Sequence, residues 1–434
     1  MLRRIYSNIG ASIVFRSLGV VFTLFLNFLI AKLCGSEGYG LFYQGLAVFT
    51  VATVVFRFGV DNYSLIKVSE YHSKKKHFKA STLLKKSYKL IIPTIICLTI
   101  ILFLSADLIA KYYYKDPNLA TPLRLFSIAF LPFILLQINS EFLKGLAKIK
   151  LSSFYQGFLP NAISVILGTI VFYLFFDDVV GFICSYAISY WLVFMFSFFS
   201  LKKRLAFFLG NKDKEKVTSK GLLRSTKTFW TIASASVIST NIVDIVLGFF
   251  LDSGSVGVYG AAVKISLIIS FILPSINSAM APEFVDSYVK KDMKRLGELA
   301  KKSSFLMFIA STPLILILTF YSTPIITLFG DDFSSGGLIL TILAWGQFFK
   351  AITGSVGFIL MSTKLEKYLL LSLVLSLCLA LILSIILIPN YGITGAALAV
   401  GISIAFQNLY SSYICYSKLS IVPLFFIKNS FKNE

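Results

Sequence analysis

Seven charged side chains stand out in the long apolar stretches of this 434-residue sequence, and among them is the one acid that lies well within a stretch. Six are basic and one is acidic: Arg16, Lys32, Arg57, Arg124, Lys264, Lys350 and Asp244. A charge at the centre of a bilayer costs roughly 2.5–3.5 kcal/mol on insertion scales, so such residues usually face a cavity or a partner. The excess of basic groups favours an anionic ligand such as a diphosphate, which needs several converging cations.

The surroundings of these charges leave structural alternatives open. Arg57 and Lys32 lie near the ends of their apolar stretches, where long side chains can reach water. Arg16 shares a helical stripe with Thr23 and Asn27, at spacings of seven and four residues. Asp244 shares a stripe with Asn241, and an ion pair between Asp244 and Lys264 is the structural alternative to a functional role for either.

The sequence offers no pattern for catalysis, metal binding or a cofactor. Its five cysteines are scattered singly without a C-x-x-C motif, and both histidines, His72 and His77, lie in a lysine-rich loop. No G-x-x-x-x-G-K-[ST] phosphate loop is present. We therefore predict a protein that is not an enzyme and has no catalytic residue, metal site or cofactor.

The apolar stretches themselves have the length and composition of membrane-spanning helices. Hydrophobic residues make up 57% and charged residues 14% of the chain, whereas soluble domains are about 25% charged. A span needs about 20 apolar residues, and in lipid it must be helical to satisfy its backbone. Twelve segments qualify: 9–33, 38–60, 87–109, 121–143, 152–176, 180–201, 225–251, 255–281, 303–329, 338–362, 367–388 and 392–416.

The basic residues alternate between the connections of these segments. Of 41 lysines and arginines, 33 lie in one alternating set of loops and tails, and the opposite set holds only Lys111 and Lys115. Positive loops stay cytoplasmic, so we expect both termini and the 202–227 loop to face the cytoplasm. The net charge of +21 then marks a surface in contact with membrane lipids and gives no reason to expect a nucleic-acid partner.

Short motifs recur between the two halves of the chain. Gly35-Ser36-Glu37-Gly38-Tyr39-Gly40 resembles 254–259, and two later pairs of motifs follow in the same order at nearly the same offset. An even six-segment period puts equivalent loops on the same side of the membrane, which indicates parallel repeats. We predict two six-helix lobes, 1–217 and 218–434, joined by a cytoplasmic linker over 202–227.

The Gly35–Gly40 turn, the stretch 391–399 (Y-G-I-T-G-A-A-L-A) and twelve spans in this length resemble the polysaccharide-unit (Wzx-type) flippases. These belong to the multidrug/oligosaccharidyl-lipid/polysaccharide exporter (MOP) superfamily. The resemblance implies an all-α integral membrane protein whose two six-helix lobes are related by pseudo-two-fold symmetry. It also implies a bacterial inner-membrane location and alternating access. The implied cargo is an oligosaccharide on undecaprenyl diphosphate, moved from the inner to the outer leaflet.

This resemblance gives the buried polar groups provisional roles. The diphosphate would be bound in a lumen by Arg16, Lys264, Lys350, Arg57 and Arg124, and sugars by Asn27, Asn241 and Gln347. Asp244 is the candidate for coupling to an ion. A glycan polymerase and chain-length machinery are the protein partners that such a pathway implies, and we expect the chain itself to act as a monomer.

Three alternatives remain open from the sequence. A multidrug antiporter on the same scaffold would favour carboxylates and aromatic groups over cations in its site. Another exporter of anionic polymer lipids would use the same cationic chemistry. A membrane enzyme that joins glycans needs a substantial outer domain, and the longest outer loop, 110–120, has about eleven residues.

Overall fold

The computed structural model describes residues 2–74, 76–175, 178–206, 219–271 and 273–426, and these ranges are helical with no β-strand. Short π-helical or 3₁₀ turns interrupt some of the connections. The α-helices are α1 (Leu2–Val55), α2 (Val60–Ser73), α3 (His77–Leu108), α4 (Ala120–Gly145), α5 (Ile149–Ser153), α6 (Leu159–Leu174), α7 (Val179–Ala206), α8 (Ser219–Phe250), α9 (Ser253–Ser266), α10 (Leu273–Val289), α11 (Met293–Phe320), α12 (Ser322–Ile326), α13 (Gly337–Ile352), α14 (Val356–Ser362) and α15 (Glu366–Leu419).

Nine stretches of the described residues are helical, long and apolar enough to cross a membrane. Two of them are too long for one crossing, because α15 with 54 residues would span about 80 Å if straight, against a hydrocarbon core of about 30 Å. Each of these helices is broken by a glycine in a non-helical conformation, Gly35 in α1 (φ 67°) and Gly392 in α15 (φ 56°). Glycine adopts positive φ without a Cβ clash, so the chain can turn there between two spans.

The predicted segments agree with these helices at most positions. Segments 9–33 and 38–60 fall on the two halves of α1, and segments 367–388 and 392–416 fall on the two halves of α15. The chain is therefore a multi-pass membrane protein. The observed helices extend further than the hydropathy pattern indicates, since α3 and α11 each begin about ten residues before the predicted segment.

The predicted segment 255–281 is not one continuous helix. α9 ends at Ser266, α10 begins at Leu273, and hydrogen bonds between residues three apart hold part of the turn between them. Pro274 explains the interruption, because it has no N–H to donate to the Ser270 carbonyl and its ring clashes there. Neither short helix belongs to the nine, so the exact number of twelve spans is not confirmed by that count.

Helix starts recur along the chain at a nearly constant interval. α11, α13 and α15 begin about half a chain length after α3, α4 and α5, respectively. This interval is the same for the three pairs to within one residue. The sequence motifs suggested a similar interval with a wider scatter. These three pairs of helices therefore recur in the same order and at the same spacing.

The chain divides into two compact units. Unit 1 comprises Met1–Cys34 and Leu41–Val237, and unit 2 comprises Gly35–Gly40 and Ile238–Glu434. The predicted lobe boundary at 217/218 and the central part of the predicted linker, 207–218, lie outside the described residues.

Unit 1 is organised around α4, which packs against α2, α3 and α7. Aromatic rings fill its core. The ring of Phe49 stacks on Phe130 with centroids 5.1 Å apart, and Phe126 contacts Tyr186 edge-on at 5.7 Å. A buried polar chain also links the helices, because the Tyr88 hydroxyl donates to Asn139 and the Asn139 amide donates to Ser197.

Unit 2 is organised around α13, which packs against α9, α11 and α15. Small residues allow its helices to approach closely. A Cβ added to Gly346 of α13 would lie 2.9 Å from the Gly401 Cα of α15. The side chains of Val256, Tyr259 and Ala261 are almost wholly buried, so α9 is a core helix of this unit.

Candidate functional site

A cluster of ionisable side chains lies inside unit 2. Asp244 of α8 is 6% exposed and interacts electrostatically with Lys264 of α9. It also interacts with the phenolic groups of Tyr39 and Tyr259, both of which have no exposed surface. We call Asp244, Lys264, Tyr39 and Tyr259 the charge cluster.

Two short helical stretches cross tightly beside the cluster and fix the backbone that carries the tyrosines. A Cβ on Gly40 would lie closer than 3.0 Å to the Ser253 carbonyl oxygen, and a Cβ on Gly257 equally close to that of Ser36. Ser36 and Gly40 are four residues apart in one stretch, as Ser253 and Gly257 are in the other. Gly40 packs against Ser253, and Gly257 packs against Ser36. Small residues at this spacing are those that let helices approach closely in membranes. We call this contact the Ser–Gly crossing.

The crossing is reciprocal between the two halves of the chain, because Ser36 corresponds to Ser253 and Gly40 to Gly257 at the same offset. The sequence motifs aligned Gly35 with Gly254, and that alignment is shifted by two residues from the register seen in the structure. The N-terminus of α9 is capped by Asp252, whose carboxylate accepts hydrogen bonds from the Ser255 backbone and hydroxyl at 2.9 and 2.8 Å.

The cluster combines one carboxylate, one ammonium and two phenols. The carboxylate and ammonium compensate each other's charge, and phenol hydroxyls can donate to a carboxylate or to a ligand oxygen. The Tyr39 ring packs edge-on against the Phe333 ring, with centroids 6.2 Å apart. The Tyr259 hydroxyl is buried and has no hydrogen-bond partner within the described part of the chain. The arrangement can hold charge and exchange hydrogen bonds within the buried part of unit 2.

Lys350 differs from Lys264 in its surroundings. It lies at the last turn of α13, is partly buried, and forms no ion pair with any residue that the structure describes. Gln347, one turn earlier, is 6% exposed, and its amide oxygen is buried without a hydrogen-bond partner among those residues. Because α9 packs against α13, the two predicted cationic ligands of unit 2 lie on neighbouring helices.

In unit 1 the Arg16 side chain is exposed and forms no ion pair within the described ranges. The rest of its stripe is occupied by internal hydrogen bonds. The Asn27 amide donates to the Thr23 carbonyl at 2.6 Å, and Asn161 donates to the Thr23 hydroxyl at 2.8 Å. Asn27 is 2% exposed, which leaves little of its surface for a sugar.

Two predicted anion ligands of unit 1 have carboxylate partners. Arg57 lies 3.1 Å from Asp61 in a pair that is less than one fifth exposed. Arg124 is paired with the exposed Asp107 of α3. In unit 2 the Asn241 amide donates to the neighbouring Thr240 hydroxyl at 3.0 Å. The uncompensated cations among the predicted ligands are therefore Arg16 and Lys350, as far as the structure describes the chain.

The sequence did not predict that Tyr39 and Tyr259 lie close to Asp244. A signal was present, because Tyr39 and Tyr259 both lie in the repeated glycine motifs that follow the first and seventh predicted spans. Among the described residues, no three His, Cys, Asp or Glu side chains come together in a way that could hold a metal ion.

Comparison with known proteins identifies the family. The family model described as "Polysaccharide biosynthesis protein" matches residues 5–288, and the MatE model matches residues 230–386. No match was found among proteins of curated function.

Three solved structures illustrate the likeness of fold. The lipid II flippase MurJ in an inward closed conformation has a TM-score of 0.74 at 21% identity, covering 94% of this chain and 87% of that chain. An inward-facing multidrug resistance MATE family transporter of the MOP superfamily has a TM-score of 0.77 at 13% identity, covering 94% and 98%. A MOP superfamily transporter from Pyrococcus furiosus Vc1 has a TM-score of 0.69 at 14% identity, covering 94% of each chain. Identities this low show the fold alone.

Proposed function

The chain belongs to the polysaccharide biosynthesis protein family and has the fold of MOP superfamily flippases and transporters, and from this premise we propose a specific cargo. The cargo is an oligosaccharide repeat unit linked to undecaprenyl diphosphate. The protein moves it from the inner to the outer leaflet of the bacterial cytoplasmic membrane by alternating access between two parallel six-helix repeats. The family and the solved neighbours are transporters or flippases, so no catalytic step is needed.

The observation that carries this proposal is the charge balance at membrane depth. Lys350 and Arg16 have no carboxylate partner in the described part of the chain, and Asp244 is the one acid well inside a predicted span. A diphosphate headgroup supplies the missing negative charge. In this proposal Lys350 of unit 2 binds the diphosphate, and Lys264 contributes when the headgroup competes with Asp244. Arg16 is the candidate anion ligand of unit 1.

The energy for transport can come from the membrane potential. One net charge that crosses the membrane is worth about 2.3 kcal/mol per 100 mV. An inside-negative potential drives a net-negative headgroup outward if the protein's own cations do not travel with it. Ion antiport through Asp244 is the competing coupling mechanism.

Two other cargoes remain within the same fold. A teichoic-type or other anionic polymer lipid would need the same cations. A multidrug antiporter is supported by the MATE likeness, and its site would favour carboxylates over unpaired lysines. For the Pyrococcus furiosus transporter, a reversed polarity of the binding pocket suggests a different function.

A cellular experiment tests the proposed cargo. Disruption of the gene should stop surface polysaccharide synthesis and cause lipid-linked repeat units to accumulate on the cytoplasmic side. The wild-type gene and Lys302→Gln, which removes an exposed lysine of α11, should restore synthesis, whereas Lys350→Gln should not. Normal polysaccharide after disruption, together with altered resistance to cationic drugs, would instead support the antiporter.

A further inference from the structure

Two cavities at one end of unit 1 share a wall formed by Ala147, Lys148 and Arg204. Their volumes are about 550 and about 600 Å³. They lie where α4 turns into α5 and where α7 ends, which is a cytoplasmic end by the charge pattern. None of their lining residues belongs to the charge cluster of unit 2.

The lining is strongly basic. It contains His72, Lys148, Lys150, Lys203 and Arg204, which together we call the basic pocket, and no acidic residue among those that the structure describes. The Nε atom of Arg204 is buried and has no hydrogen-bond partner within the described ranges. A buried guanidinium donor without an acceptor is costly, and a phosphate oxygen is a matching acceptor.

The fold holds the central lysine of the pocket in place. The Lys148 N–H donates to the Leu143 carbonyl at 2.8 Å, and the Ala147 N–H donates to the Lys144 carbonyl at 2.9 Å. Ala147 adopts φ 58°, the left-handed conformation that ends a helix in this hydrogen-bond pattern. Glu141, in the preceding turn of α4, is already paired with Lys144. The turn therefore presents Lys148 without a compensating acid from α4.

One side of the basic pocket is apolar. Phe15, Leu151 and Phe154 line the second cavity together with Lys148, Lys150 and Arg204. The Phe15 and Phe154 rings are in edge contact with centroids 5.2 Å apart. A soluble anion needs cations alone, whereas a lipid headgroup also brings an acyl or prenyl chain that an apolar wall can contact.

We propose that the basic pocket binds the phosphate headgroup of a membrane lipid from the cytoplasmic leaflet. The cations contact the phosphate oxygens, and the phenylalanines contact the first carbons of the lipid chain. The same chemistry fits an anionic phospholipid and a polyprenyl phosphate carrier. This inference rests on unit 1 alone and stands even if the proposed cargo is wrong.

Lysine acetylation of the full-length protein in nanodiscs tests the proposal without altering the sequence. In phosphatidylcholine alone, Lys148, Lys150 and Lys203 should be acetylated readily. Added phosphatidylglycerol or undecaprenyl phosphate should slow the acetylation of these three lysines relative to Lys202. Lys202 is exposed on α7, the helix that carries Lys203, but does not line the pocket. The lipid that slows acetylation of the pocket lysines is the one whose phosphate headgroup the pocket binds. Equal protection by inorganic pyrophosphate in phosphatidylcholine, or none by either lipid, would overturn the proposal.

Paired variants give a second readout. Replacing Lys148 and Arg204 together by Gln should weaken binding of the protecting lipid by about tenfold or more in native mass spectrometry, because each cation makes a charge-assisted hydrogen bond. Lys202→Gln should leave binding unchanged, and the charge-conserving pair Lys148→Arg with Arg204→Lys should retain it. Unchanged binding in the double Gln variant would contradict the pocket.

Discussion

At the scale of single residues, the structure separates charges that have protein partners from charges that do not. Arg57 and Asp61 are only four residues apart, but Arg57 lies in the turn between α1 and α2, so a helical spacing does not account for their contact. The partner of Arg124, Asp107, lies on a different helix, and a single sequence gives no indication of that pairing. Sequence reasoning could thus find the charges within the apolar segments, but the one partner it named was Lys264 for Asp244.

The interaction of Asp244 with Lys264 leads to a prediction by double replacement. Asp244→Asn should abolish transport and lower the thermal stability of the protein, because it leaves Lys264 uncompensated at a cost of about 3–5 kcal/mol. Combining it with Lys264→Gln should restore stability and a measurable part of transport. Stability is followed by thermal unfolding in detergent, and transport by complementation.

The opposite outcome has a distinct meaning. If the double variant folds as well as the wild type but stays inactive, Asp244 has a role beyond pairing, and ion coupling becomes the better explanation. Lys302→Gln serves as the control for removal of a positive charge elsewhere in unit 2.

A surface carboxylate gives a prediction on pH. Glu70 of α2 accepts hydrogen bonds from Lys74 at 2.8 Å and Lys67 at 2.9 Å, and these lower its pKa from the ordinary 4.5 to about 2. Because the folded-state pKa is depressed, the stabilising contribution of this group is present above about 4.5 and is lost as the pH falls towards about 2.

The measurement is a carboxyl NMR titration of the full chain labelled at glutamate. The Glu70 midpoint should lie well below 4.5, and it should move upward in Lys74→Gln and at high salt, since the pair is exposed and screened. A midpoint at the ordinary value that neither change shifts would show that the two lysines do not hold Glu70 in solution.

At the scale of elements, the Ser–Gly crossing is the tightest constraint near the charge cluster. We predict that Gly40→Ala and Gly257→Ala each destabilise the protein by about 1–3 kcal/mol or more, because the added methyl group would overlap a backbone carbonyl. Gly357→Ala is the matched control in unit 2, since its Cβ would lie 3.6 Å from Leu369. Alanine has a higher helix propensity than glycine, so the Gly357→Ala control should be neutral or slightly stabilising.

Thermal unfolding and expression level of the three variants check this prediction. If Gly40→Ala and Gly257→Ala unfold at the wild-type temperature, the two stretches do not cross as closely as described. A loss confined to one of the two would contradict the reciprocity of the contact.

Hydropathy located most elements, because membrane spans must be apolar and helical. It could not show where helices continue beyond the apolar segments, as α3 and α11 do, since polar helical ends carry no hydropathy signal. It also could not show the break between α9 and α10, where Pro274 prevents a continuous helix inside an apolar stretch. The Ser–Gly crossing depends on contacts between opposite halves of the chain, and the motifs alone set its register two residues wrong.

At the scale of the whole molecule, the alternating loop charges predict the orientation in the membrane. In a variant without native cysteines, Lys111→Cys and Asp331→Cys should react with an impermeant thiol reagent added to intact cells. Lys74→Cys and Lys294→Cys should react only after the cells are opened. All four positions are exposed in the structure.

Reaction of Lys294→Cys or Lys74→Cys in intact cells would reverse the predicted orientation. It would also place the basic pocket of unit 1 on the outer side, where the proposed cytoplasmic lipid could not reach it.

Translocation of a diphosphate-linked oligosaccharide lipid can be measured with the purified chain in proteoliposomes. The vesicles contain undecaprenyl-diphosphate-linked oligosaccharide, and an added glycosidase measures the share exposed in the outer leaflet. We predict that the exposed share rises above the protein-free level with wild type and Lys302→Gln, and stays near that level with Lys350→Gln. If the folded wild-type protein leaves the share unchanged while it moves a lipophilic cation across the same membrane, the account is contradicted.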